Sequence, residues 1–251
     1  MERCDFLPVS AEEMHERGWW WYDALVVGGD AYVDHPSFGT AVISRVLEAE
    51  GLRVAVLAQP DWHDAEAFRA MGRPRLGVFI GAGNLDSMVA HYTAAKRRRS
   101  EDFYSPGKRT GCRPDRAAIV YCNRAREAFG PDMPIILGSL EASLRRFAHY
   151  DYWDDAVRRA ILFDAPADLL VYGMGEAATI EIAHRLKKKQ SVRTMTDIPG
   201  TGYITRDPAV CKFEHITLPS FEDVRDDKRL YAEATRTEYA EHDPIRGRAM
   251  L

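Results

Sequence analysis

The stretch "DALVVGGDAYVDHPSFGTAVISRVLEAEG", residues 23–51, holds the reading on which the fold turns. It opens with an apolar run of strand length, Asp23–Gly29. A loop of small and charged residues follows, and then the helical run "TAVISRVLEAEG", with Gly51 placed as its C-terminal cap. The same unit recurs along the chain. "RVAVLAQ" (Arg53–Gln59) and "RLGVFIGAG" (Arg75–Gly83) read as the second and third strands. "AEAFRAMG" reads as a short helix between them, and "LDSMVAHYTAAKRRR" as the helix after the third strand. "AAIVYC" (117–122) and "PIILGS" (134–139) read as two more strands around a helix "NRAREAFG". "ADLLVYG" (Ala167–Gly173) then leads into the amphipathic helix "EAATIEIAHRLKKK". The strands are near-continuous runs of Val, Ile and Leu, the mark of parallel strands covered on both faces. The expected fold is therefore α/β: a doubly wound, mostly parallel, Rossmann-like sheet of about five or six strands with helices on both faces.

Three segments depart from the repeat. Lys96–Arg116, "KRRRSEDFYSPGKRTGCRPDR", is basic and turn-rich and reads as a mobile loop or excursion. "FAHYDYWDDAVRRAILFDAP" (Phe147–Pro166) reads as aromatic at first and then helical. "FEDVRDDKRLYAEATRTEYAEH" reads as a last helix capped by Ser220. The division expected is a lead-in over 1–22, the Rossmann-like domain over 23–206 and a helical extension over 207–251.

Composition narrows the function classes. A net charge of −4 gives no global drive toward nucleic acid or anionic membrane. The apolar runs fall short of the roughly 20 residues of a membrane span. The polar N-terminus lacks the apolar core of a signal peptide, so the cytoplasm is the expected compartment. Cys4, Cys112, Cys122 and Cys211 lack the short spacings of a zinc site, so no metal site is expected. Cys122 reads as a small buried hydrophobe.

In an open α/β sheet, ligands lie beyond the carboxyl ends of the strands. Each such end here carries small residues: Gly28, Gly29 and Asp30; Gly81, Gly83 and Asn84; Gly138, Ser139 and Glu141; Gly173, Gly175 and Glu176. They form the candidate cofactor-binding set, with Asp34 and His35 added from the first loop. No catalytic residue is assigned. The alternative is that strand-to-helix turns require glycine in any case. Asp34 or Ser37 could equally cap the following helix while His35 packs locally. "GMGEAA" (173–178) fits G-x-G-x-x-A, with Asp197 at the distance of a ribose-binding acid. That keeps a dinucleotide-binding module open, although the motif stands in the last unit rather than the first. The basic loop 96–116, with Phe103 and Tyr104 for stacking, keeps an RNA-interaction module open against a solvated loop docked on an acidic neighbour.

"GDAYVDHPSFG", "GLRVAVLAQPDW", "GAGNLDSMVAHYTAAKRRR", "RPDRAAIVYCNRAREAF" and "EASLRRFAHYDYWDDAVRRAIL" together resemble the N-terminal region of the YgiQ-type radical S-adenosylmethionine (SAM) proteins. The likeness runs from about Phe6 to about Tyr239. "ADLLVYGMGEAATIEIAHRL" with "DIPGTGYITR" is also similar to the closing unit of cobalamin-binding-type domains that precede radical SAM barrels. The resemblance implies a Rossmann-like N-terminal domain working in cis with a partial barrel. That barrel would hold a 4Fe-4S cluster on C-x-x-x-C-x-x-C and cleave SAM. No such motif occurs in these 251 residues. The chain therefore reads as an accessory N-terminal domain or truncated product that covers the barrel and contributes to binding substrate or cofactor, and that is inactive alone. "DHPSFG" departs from D-x-H-x-x-G, so His35 as a cobalt ligand does not follow. Ser139 stands where the family tends to glycine.

Overall fold

The computed structural model describes residues 6–243 and 246–251. Its centre is a six-stranded sheet built from β1 (Ala24–Gly28), β2 (Val54–Ala58), β3 (Gly77–Gly81), β4 (Ile135–Leu137), β7 (Leu169–Val171) and β8 (Thr201–Gly202), in the order β2-β1-β3-β4-β7-β8. The first five strands pair in parallel, and β8 closes one edge antiparallel to β7.

Strand side chains alternate between two cores. Leu25 and Val27, Val78 and Ile80, and Ile135 and Leu137 point to one face. There they meet Phe68 of α3 (Glu66–Ala70) and Tyr121 and Phe129 of α5 (Ala117–Phe129). Val26, Phe79, Ile136 and Leu169 point to the other face. Leu47 of α2 (Gly39–Ala49) and Ile182 and Leu186 of α7 (Glu176–Lys187) cover them. Burial on both faces explains why the strands read as unbroken apolar runs. Helix α1 (Ala11–Glu16) adds Met14 to the first core, and Leu7 joins the second.

Four readings of local structure are corrected. "AAIVYC" is not a strand but the first half of α5. Its buried residues, Ala117, Ala118, Tyr121, Cys122, Ala125 and Phe129, recur at helical spacing, and a short apolar run does not distinguish the two. Cys122 is buried as expected, and burial pushes its thiol up. The helix expected over "LDSMVAHYTAAKRRR" lasts only for α4 (Ser87–His91). Tyr92 turns extended and bridges Arg98, with Lys96 at φ +58° in the turn between them.

The segment after Phe147 forms a hairpin of β5 (His149–Asp151) and β6 (Ala156–Arg158), joined on to α6 (Ser139–Leu144) by residues 145–148, and its expected helical part is only one short 3-10 turn, Ile161–Phe163. The Asp151 carboxylate accepts from the N–H groups of Trp153 (2.9 Å) and Asp154 (3.2 Å), and Asp155 sits at φ +53°. That is Asx-turn chemistry. The last helix is two: α8 (Phe221–Asp226), capped by Ser220 as expected, and α9 (Lys228–Ala240). Asp227, extended at φ −125°, breaks them and caps α9 through Arg229 N. A two-residue parallel pair, β9 (His215–Ile216) before α8 and β10 (Ala249–Met250) after α9, brackets the two helices in sequence.

Candidate functional site

Strand order reverses at β1, the first strand of the chain, which β2 and β3 flank on its two sides, so the switch point of the sheet lies between β1 and β3. Doubly wound sheets of this order place ligands at that point, beyond the carboxyl ends. Here the position is filled by the chain itself. Arg113, from the basic loop, is among the largest fully buried side chains. Its Nη1 donates to Asp30 Oδ1 at 2.8 Å, and its Nε and Nη2 fork onto Asp102 at 2.9–3.1 Å. Asp30 Oδ2 accepts from Asn84 N at 2.7 Å, and Asp102 accepts from Ser105 Oγ (2.9 Å) and Tyr104 N (3.0 Å). Burial raises the Asp30 carboxyl above its ordinary value, opposed by the Asn84 N–H and the guanidinium. Gln59 Nε2 ties Gly29 O to Ser105 Oγ, and Ala31 N donates to Tyr104 O. The loop read as mobile is thus stitched to the ends of β1 and β2.

The glycines of this edge answer to the same packing. A Cβ on Gly29 would lie 1.9 Å from Ala82 O, and one on Gly28 would lie 2.6 Å from Thr40 Oγ1. At Gly83, φ is +113° and a Cβ would meet Asp30 Oδ1 at 2.3 Å. Gly81 faces Ser139, whose hydroxyl accepts from Ala82 N at 3.0 Å while its backbone holds φ +74°, a region serine enters at a cost of roughly 1 kcal/mol.

Glu141 is fully buried: Oε2 accepts from Ser87 N (2.9 Å) and Oε1 from Ala118 N (3.0 Å), so it braces the starts of α4 and α5. Burial raises its carboxyl, with neighbouring Asp86 adding to the shift. Asp86 caps α4 and pairs with Arg145.

The first loop also turns inward on itself. Asp34 does not cap α2, whose N-cap is Phe38. Asp34 receives Arg45 Nε at 3.0 Å. His35 is exposed, and its Nδ1 accepts from Ser37 N at 3.1 Å. Asn84 spans the loop, donating to Ser37 O and accepting from Gly39 N. Asp197 pairs with Arg185 of α7.

The other half of the edge differs. Nothing lies within 4 Å of a Cβ built on Gly173, and only Val171 O comes near one on Gly138. Met174 is 87% exposed and Leu144 59%, and Leu140, one turn before Leu144 on α6, is exposed too. Glu176 starts α7, whose N-cap Gly175 offers no side-chain cap. Among the described residues no group of three or more His, Cys, Asp or Glu is arranged to hold a metal ion, and no helix is long and apolar enough to cross a membrane.

Sequence reasoning missed Arg113, Asp102 and Gln59 as the residues that decide this edge. Arg113 stands within "RPDRAAIVYCNRAREAF", one of the strings that carry the family likeness, but nothing in the sequence separates it from the exposed arginines of its loop.

The family described as Radical SAM N-terminal matches residues 6–251. The chain belongs to that family. It is 52% identical over its whole length to the UPF0313 protein of Clostridium botulinum (strain 657, type Ba4), of which it covers 39%. It is likewise 52% identical to the UPF0313 protein of Clostridium perfringens (strain SM101), of which it covers 38%. The chain thus spans well under half the length of the curated relatives it matches and is the N-terminal domain of a larger type of protein. Among solved structures, a radical S-adenosylmethionine methyltransferase, TsrM, from Kitasatospora setae, determined with cobalamin and a [4Fe-4S] cluster bound, aligns at TM-score 0.45 and 20% identity. That alignment covers 73% of this chain and 27% of TsrM.

Proposed function

We propose that this domain is an accessory unit that works in cis with a cluster-bearing radical SAM region, and that its open rim faces that region. The observation behind this reading is the contrast along one sheet edge. The β1/β3 half is sealed by Arg113, whereas the β4/β7 half leaves Gly173 open and Leu144 and Met174 in solvent. Single exposed apolar residues are ordinary, but a group of them at a ligand edge asks for a cover. In this arrangement the 4Fe-4S cluster and SAM belong to the longer protein, and the domain shapes the mouth of that site and excludes water from it.

A cobalamin or dinucleotide across the β1/β3 switch point does not fit the residues present. The close approach that glycine would allow at Gly28, Gly29 and Gly83 is already taken by Thr40, Ala82 and Asp30.

Hydrogen exchange on this chain and on a full-length UPF0313 relative tests the proposal. Protection at Leu140–Leu144 and at Gly173–Gly175 should be low in this chain and should rise at the matching positions of the longer protein. Equal protection in both would remove the proposed interface.

A further inference from the structure

The sealed switch point has a second consequence on its outer side. A cleft of about 490 Å³ opens between α4 and residues 98–104, within the roughly 300–1,000 Å³ typical of small-molecule sites. Leu85, Val89 and Phe103 supply its apolar wall, and Arg98 and Arg99 supply its charge.

The cations of this loop differ in how they are paired. Arg113 is consumed by Asp30 and Asp102, and Arg116 by Asp151 and Asp154. Lys108 faces Glu101 at 3.7 Å. Among the described residues no carboxylate forms an ion pair with Arg97, Arg98 or Arg99. Arg98 lies over the Tyr92 ring, 5.6 Å from its centroid, and is attracted by the nearby Asp115 carboxylate, whose oxygens are hydrogen-bonded by His91 and Tyr92. Arg99 Nε donates to the carbonyls of Val89 and Tyr92, and among the described residues its terminal nitrogens donate to no side chain. The two acids in the cleft do not balance this charge. Glu101 is turned to Lys108, and Asp102 is saturated by Arg113, Ser105 and Tyr104.

The arginines are also held in place. Arg99 N donates to His91 O at 2.8 Å, and Thr93 N donates to Arg97 O at 2.9 Å. Phe103, which lines the same cleft, keeps 74% of its surface exposed, with Lys108 Nζ lying over its ring 4.8 Å from the centroid. Guanidinium groups that form no ion pair, held on fixed backbone beside an exposed aromatic ring and a lysine, match a ligand that carries both phosphate and a flat base.

We propose that this cleft binds the phosphate and base of a nucleotide, free or as one unit of a single strand. The test titrates the intact chain with inorganic phosphate, AMP, ATP and a fluorescein-labelled octauridylate, by calorimetry and fluorescence anisotropy. AMP or the octamer should bind in the micromolar to low millimolar range, and inorganic phosphate more weakly. Arg98→Gln with Arg99→Gln, which keeps side-chain length, should weaken the nucleotide probes about tenfold or more. Phe103→Ala should weaken AMP and the octamer about tenfold and leave phosphate unchanged. Lys188→Ala with Lys189→Ala removes the same charge elsewhere and should change nothing. Thermal melts matching the wild type verify that each variant folds. AMP binding as tightly as the octamer identifies a free nucleotide as the occupant; a much tighter octamer identifies a strand. Four results would each overturn the proposal: no binding of any probe at millimolar concentration, phosphate as tight as AMP, unchanged binding in the arginine variant, or an equal loss in the lysine variant.

Discussion

Arg113 joins two carboxylates that no other group in the core could hold together. Asp30 and Asp102 are both buried, and the guanidinium is planar with donors on two edges, so one edge forks onto Asp102 while Nη1 reaches Asp30. The negative charge left over is spread onto the Asn84 and Tyr104 N–H groups and the Ser105 hydroxyl. Removing the cation strands two buried acids, a far larger penalty than losing a surface pair. Arg113→Ala should therefore destabilise the chain by about 3–5 kcal/mol. Arg113→Lys should cost somewhat less, because an ammonium reaches one carboxylate but cannot fork. Urea midpoints at neutral pH measure both. An Arg113→Ala variant within about 0.5 kcal/mol of wild type would mean the triad does not hold the edge closed.

At the scale of elements, the β5–β6 hairpin is tied to the start of α5 through Asp151. Its carboxylate accepts Arg116 Nη2 at 2.9 Å and Nε at 3.2 Å in addition to its own turn N–H groups. Burial works to raise this carboxyl, but Arg116 and the Asp154 and Trp153 N–H groups overcome it and hold it below the ordinary 3.8. A lowered pKa in the folded state gives stability that is present above pH 3.8 and lost as the pH falls through the folded value. Asp151→Asn keeps the turn acceptor and removes the charge. It should cost about 2 kcal/mol at pH 7, between an exposed and a fully buried pair. The cost should shrink steadily below pH 3.8, which urea unfolding at a series of pH values would show; a penalty independent of pH would exclude the ion pair as its source. The hairpin was not legible in the sequence, because its turn depends on one Asp side chain and on Asp155 at positive φ. The helix α5 was misread for a related reason: its first six residues are apolar or small, and only the spacing of its later buried residues shows the helical period. The strands β1, β2 and β3 were legible because burial on both faces leaves no polar position to blur them.

At the scale of the molecule, the sequence told which loops meet at the carboxyl edge but not what fills it. Gly28, Asp30, Gly83 and Asn84 do come together at the switch point. The group they enclose is an arginine from eighty-three residues beyond Asp30, a distance no local pattern spans. The same view of the whole chain bears on radical chemistry. A 4Fe-4S cluster that cleaves SAM needs three thiolates converging on one site with an iron left open. Of the described cysteines, Cys122 is sealed in the core on the buried face of α5, where burial favours the neutral thiol. Cys112 lies in the basic loop, its Sγ directed to Arg109 O at 3.6 Å. Cys211 lies past β8, its Sγ directed to Phe213 O at 3.7 Å. Cys4 is outside the described residues. Asp30 and Asp102 cannot stand in for thiolates, since a low-potential cluster requires soft sulfur and both acids are already bound to Arg113. The chain incubated anaerobically with iron and sulfide, desalted and then reduced in the presence of SAM should carry no cluster absorption and should release no 5′-deoxyadenosine above a protein-free control. On the proposed reading, a full-length UPF0313 relative treated in the same way should show cluster absorption and release 5′-deoxyadenosine. Release of 5′-deoxyadenosine by this chain alone would require three of its four cysteines to converge, and single serine substitutions of Cys4, Cys112, Cys122 and Cys211 would show which three.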